Sequence, residues 1–136
     1  MQRQFDFEEA QGRFFNLRAI FDKLNAQYFG KRVRSYRILW GRKRRERPRE
    51  TVVFGTIQEE DRVIRIHPLL DRAFVPTWFL EYVVYHEMLH SVVADRYDAQ
   101  GRRVVHHSVF LEKERRFHWF RRAKAWEEEN LARFLR

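Results

Sequence analysis

Two histidines four residues apart, with a glutamate directly after the first, are a constellation able to hold and use a metal ion. The chain carries them as Tyr85-His86-Glu87-Met88-Leu89-His90. On a helix, positions i and i+4 lie one turn apart on one face, so both imidazoles can chelate one ion. Glu87 projects to the side of that pair. There it can take a proton from a zinc-bound water and return it to a leaving amine. The expected reaction is peptide-bond hydrolysis, with one zinc ion per chain and Glu87 as the catalytic base. There is no cysteine, so a metal site must be built from histidines and carboxylates.

A catalytic zinc needs a third protein ligand and an open position. The downstream candidates are His106, His107, Glu112, Glu114 and His118. His106 and His107 follow a turn-rich loop and open the last helix, which lets them fold back on the His86–His90 pair. Glu112 and Glu114 are the carboxylate alternatives. His118 lies in a run of arginines and aromatics and reads as a surface residue. His67 closes a strand ahead of Pro68 and reads as structural.

The elements that must position these groups follow from periodicity. Residues 6–29 read as a helix, with Phe14, Leu17, Ile20, Phe21, Leu24 and Tyr28 on one face. Asp6 and Glu9 resemble a capping box, and Gly30 suits the position after the last turn. Three extended segments follow, at 36–40, 51–57 and 62–67, with Glu59-Glu60-Asp61 as a hairpin turn between the last two. An exposed edge of that sheet offers a place for a substrate backbone to lie. From Trp78 to Ala94 the chain is apolar nearly all round, which marks a buried central helix starting near Pro76. A polar stretch from Asp95 to Arg103 interrupts it. A last helix from about His107 to Leu135 carries Phe110, Phe117, Phe120, Leu131 and Phe134 toward the core. The fold class is α+β: an N-terminal helix, a small three-stranded sheet, a buried HExxH helix and a C-terminal helix in one domain over 1–136.

The 44% hydrophobic content and 13 phenylalanines argue for a packed core rather than disorder. No apolar run nears the ~20 residues of a membrane span, and acidic residues among the first 15 argue against a signal peptide. A cytoplasmic location is the default. The formal net charge of +9 favours polyanions, nucleic acid first. The loop residues Arg42, Lys43, Arg44, Arg45 and Arg47 are the candidate nucleic-acid contacts, because Pro48 keeps that segment out of regular structure. Arg102-Arg103 and 115–124 are further basic clusters. Trp119 and Trp126 could stack on bases, but their helical spacing favours core positions.

The chain resembles the SprT-like (Spartan-type) zinc metallopeptidase domain, a small zincin. The resemblance runs through Leu24-Asn25-Ala26-Gln27-Tyr28-Phe29-Gly30, Ile38-Leu39-Trp40-Gly41 and Ile64-Arg65-Ile66-His67-Pro68, and is strongest at Val84 to His90. That family places its third zinc histidine in an H-G-x-x-F pattern. His106-His107-Ser108-Val109-Phe110 matches it, with His107 where the glycine usually stands. The resemblance therefore implies His86, His90 and His106 as the ligands, with His107 as the competing third ligand. It also implies a zincin fold with the metal between two helices below a small sheet, acting on proteins that in some relatives are crosslinked to DNA. The cysteine-based zinc ribbon of many relatives has no counterpart here. The competing reading is a non-enzymatic nucleic-acid-binding module with structural zinc. Glu87 separates the two, because a structural site needs no general base.

Overall fold

The computed structural model describes residues 9–43 and 46–136. It is an α+β fold in which, among the described residues, one buried helix is enclosed by a sheet and further helices.

Helix α1 (Leu17–Tyr28) begins where Asn16 caps it, the side-chain oxygen accepting from the Ala19 amide at 3.0 Å. Its buried face is Leu17, Ile20, Phe21, Leu24 and Asn25; of the periodic set read from the sequence, Tyr28 is only half-buried. Gly30 follows it with φ of 55°, in the left-handed region that ends helices. The helix does not reach back to residue 6 as one unit; of the expected capping box, Asp6 lies outside the described residues. The reason is long-range. The Asp71 carboxylate accepts the backbone amides of Arg13, Phe14 and Phe15 at 2.6, 2.8 and 3.2 Å, holding them in a turn. Phe14, expected on the buried face, is consequently exposed. Gly12 is required there, since a Cβ would stand 2.4 Å from Asp71 Oδ2 and 2.6 Å from Trp40 Nε1.

Strands β1 (Arg37–Trp40), β2 (Gly55–Gln58) and β3 (Val63–Ile66) form a sheet of order β1-β3-β2. β1 runs parallel to β3, with Ile38 beside Ile64; β2 runs antiparallel, with Ile57 beside Ile64. The β2–β3 turn falls on Glu59–Asp61, as the acidic cluster suggests, and Arg62 closes it at φ of 54°. The second extended segment differs from expectation: residues 51–54 lead into β2 without pairing as strand, and β2 starts at Gly55. β2 is an edge strand.

Helix α2 (Thr77–Val92) starts after Pro76 and is buried on nearly every side, from Phe79 to Tyr85 and again from Glu87 to Leu89. It packs against β2 and β3 on one side and α1 and the later helices on the other. The polar stretch after it forms a small hairpin of β4 (Arg96–Tyr97) and β5 (Arg103–Val104). Asp98 accepts the amides of Gln100 and Arg102, and Gly101 takes φ of 78° at the turn. This hairpin sends the chain back toward α2.

The expected last helix is two helices, α3 (Ser108–Glu114) and α4 (Phe120–Asn130), followed by a 3-10 turn at Leu131–Phe134. The break falls at residues 115–119. There Phe117 is buried among Tyr28, Tyr82 and Tyr85, and the Tyr28 hydroxyl accepts the His118 amide at 3.1 Å. Phe110, Phe117 and Phe134 are buried as expected, with Phe120 and Leu131 packed on them. Trp126 packs on Phe74, Phe79 and Phe134 at the edge of the core, but Trp119, expected in the core, is exposed with Arg122 over its ring. Among the described residues no helix is long and apolar enough to cross a membrane.

Candidate metal centre

His86 and His90 sit one turn apart on α2, on the face that meets the start of α3. The β4–β5 hairpin delivers His106 to the same point. The three Nε2 atoms form a triangle with sides of 3.1 Å (His86–His106), 3.3 Å (His86–His90) and 3.0 Å (His90–His106). These three residues are a group able to hold a metal ion. A tetrahedral ion with metal–nitrogen bonds of ~2.0–2.1 Å needs ligand atoms about 3.3–3.4 Å apart. The triangle meets that within a few tenths of an ångström, so the donor set fits. Buried Phe110, one turn into α3, forms the floor: its ring stacks on His90 at 4.3 Å and lies 5.0 Å from His86 and His106.

The electrostatics favour neutral imidazoles with available lone pairs. Burial, and then the charges of His86 and His106, lower the His90 pKa to about 4. Burial and the neighbouring His86 lower that of His106 as well. His86 Nδ1 lies 2.5 Å from Glu114 Oε2, and the same oxygen accepts from the Tyr82 hydroxyl at 3.0 Å. A carboxylate only accepts, so His86 donates through Nδ1 and keeps its Nε2 lone pair facing the triangle. Burial alone would raise the Glu114 pKa, but the hydrogen bond and charge of His86, with Tyr82, outweigh it and hold the carboxyl below its ordinary range.

Glu114 thus sits behind His86. Glu112 is exposed and pairs with Arg116. His107 is committed elsewhere: its Nε2 lies 2.8 Å from the Ala94 carbonyl oxygen, and its Nδ1 accepts from the Phe110 amide as the cap of α3. With both ring nitrogens occupied, His107 anchors the loop and leaves the triangle to its neighbour. His67 caps the 3-10 turn at Pro68–Leu70 through Nδ1, as a structural residue should. His118 is exposed.

Glu87 is buried beside the triangle, and no side chain or amide among the described residues hydrogen-bonds its carboxylate. Burial pushes its pKa up to about 7; His86 opposes the shift and Glu114 adds to it. The carboxylate lies against Gly55, the first residue of edge strand β2. A Cβ at Gly55 would stand 2.9 Å from Glu87 Cγ and 3.1 Å from Oε2. The Glu87 carboxylate, next in sequence to His86, therefore meets the sheet edge at Gly55. Gly55 was not singled out in the sequence, because nothing local distinguishes it from any other loop glycine.

The basic residues behave differently. Arg42 and Lys43 are exposed, Arg47 donates to the Arg133 carbonyl oxygen, and Arg44 and Arg45 lie outside the described residues. Arg102 and Arg103, at the β4–β5 hairpin, are paired with Asp98 and Asp95. The C-terminal residues reach the 46–48 loop, through Arg136 to Glu46 and to the Pro48 carbonyl oxygen. Compared with protein-family models, curated proteins and solved structures, the chain matches none.

Proposed function

We propose that this chain is a small zinc metallopeptidase of the SprT-like kind. The observation that carries the reading is the triangle of His86, His90 and His106 Nε2 atoms with an uncommitted, buried Glu87 beside it. His86, His90 and His106 would hold the ion through Nε2, leaving a side open where structural sites tend to have a fourth protein ligand. Zinc, when bound, supplies Lewis acidity to the scissile carbonyl and to the attacking water. Glu87 takes the proton from that water and hands it to the departing amine, so its carboxyl ends the cycle as it began. A pKa near neutrality suits both halves of that transfer. The free edge of β2, which starts at Gly55 against Glu87, can pair with an extended substrate backbone and hold it across the base.

The test is a protein-cleavage assay at matched zinc loading. Glu87→Gln should keep stoichiometric zinc and the fold yet lose two or more orders of magnitude in rate, the scale of general acid–base catalysis. Cleavage at the wild-type rate by the zinc-loaded variant would overturn the reading in favour of a structural ion.

A further inference from the structure

His90 does not only face the other two imidazoles. It also lines a depression of about 340 Å³ that opens between the end of β2 and the hairpin after α2. Ligand pockets start near ~300 Å³, so this one is sized for a single long side chain. Ile57 and Gln58 of β2 form part of its wall. The Glu59-Glu60-Asp61 turn, Asp95 and Arg103 of β5 complete it.

The charge here runs against that of the chain, which is +9 in total. Asp95 and Arg103 neutralise each other at 2.6 Å. Glu59, Glu60 and Asp61 have no such partner: among the described residues no hydrogen bond or ion pair engages their carboxylates. Three like charges on adjacent residues repel one another, and a cation brought among them relieves that repulsion.

The free edge of β2 says how a cation would arrive. Alternate side chains of a peptide laid on that edge point to opposite faces of the sheet. On the α2 side they pass Ile57, which pairs in register with the buried Ile64, and reach the depression beside His90. On the other side they meet exposed Thr56 and Arg65, whose guanidinium donates to Gln58 Oε1 at 2.6 Å. The negative character is therefore confined to the face that carries the imidazoles. A lysine or arginine suits it by shape as well as by charge. Its apolar stem can lie on Ile57 while its head reaches the carboxylates of the turn.

We propose that this depression is the subsite for one lysine or arginine side chain of the substrate, at a position close to the scissile bond. The inference rests on the peptidase reading for its occupant and adds the substrate class: an extended segment with a basic residue on the side facing α2.

The experiment uses short labelled peptides that are alike except at one central position, which is Lys, norleucine or Glu. Fluorescence anisotropy measures their binding to the full, zinc-loaded chain carrying Glu87→Gln, so that nothing is cleaved. The Lys peptide should bind about tenfold more tightly than the norleucine peptide, a few-fold for each exposed carboxylate, with the Glu peptide weakest. The net charge of the chain favours the opposite order, so bulk attraction cannot produce this one. Adding Glu59→Gln, Glu60→Gln and Asp61→Asn should bring the Lys peptide to the affinity of the norleucine peptide, with the latter and the zinc content unchanged. A control triple, Glu50→Gln with Glu128→Gln and Glu129→Gln, removes the same charge from other exposed positions and should leave the ratio near tenfold. Equal binding of the three peptides, or tightest binding of the Glu peptide, would overturn the subsite. So would a Lys preference that survives in the turn triple or falls equally in the control. Cleavage of the same peptides by the wild type is scored separately. A Lys preference in binding without cleavage would support the subsite and count against the peptidase reading; cleavage without a Lys preference would do the reverse.

Discussion

His86 and Glu114 face each other across 2.5 Å, Nδ1 to Oε2, twenty-eight residues apart in the chain and on different helices. Tyr82, one turn before His86, holds the same carboxylate oxygen. The contact sets both the tautomer of His86 and the direction of its ring. Glu114→Gln keeps the size but loses the charge and one acceptor oxygen. Partners of this type are worth 10–100-fold in metal affinity. Competition with a chromogenic chelator should show weakening of that order for Glu114→Gln and less for Tyr82→Phe. Unchanged zinc affinity in Glu114→Gln would mean the contact is only packing.

Adjacent histidines have separate duties. His106→Ala should abolish stoichiometric zinc. His107→Ala removes the cap of α3 and the tie to the Ala94 carbonyl oxygen, so it should cost about 1 kcal/mol of stability while leaving zinc bound. Metal analysis beside urea denaturation separates the two. The opposite pattern would transfer the ligand role to His107.

Gly55 should matter to catalysis more than to folding. A methyl group there would press on Glu87 Cγ at 2.9 Å, and the flexible end of that side chain is what must yield. Gly55→Ala should therefore keep zinc, and keep the fold by circular dichroism, while proteolysis falls at least tenfold through displacement of the base. Full activity in this variant would show that Glu87 has room the geometry does not suggest.

The metal-free protein should carry a pH signature of Glu87. Its carboxyl titrates near 7 when folded against about 4.5 when unfolded, because burial disfavours the charge. An acid with a raised pKa contributes stability that is present below its unfolded pKa and lost as pH rises through the folded value. Apo wild type should thus fall in melting temperature relative to apo Glu87→Gln between pH 5 and pH 8. Subtracting the two curves cancels the opposite contributions of His90 and His106, whose lowered values work in the other direction. A difference that does not vary with pH would place Glu87 in solvent.

The HExxH pair, the all-round apolar helix that carries it and the acidic hairpin turn were legible in the sequence. Each depends on spacing within a few residues, and helical or strand periodicity maps spacing directly onto direction. His106 over His107 was implied only by the resemblance, and the structure groups His106 with His86 and His90 while both ring nitrogens of His107 are engaged elsewhere. What the sequence could not decide were relations between distant segments. Asp71 accepts amides more than fifty positions away where the helix expected from residue 6 is interrupted, and at the break in the expected last helix Phe117 fills a pocket of tyrosines from α1 and α2. Glu114 behind His86 and Gly55 under Glu87 belong to the same class. Local spacing determines which residues can share a face. Which faces then meet is decided by the packing of the whole chain, where burial and unsatisfied polar groups must be reconciled at once.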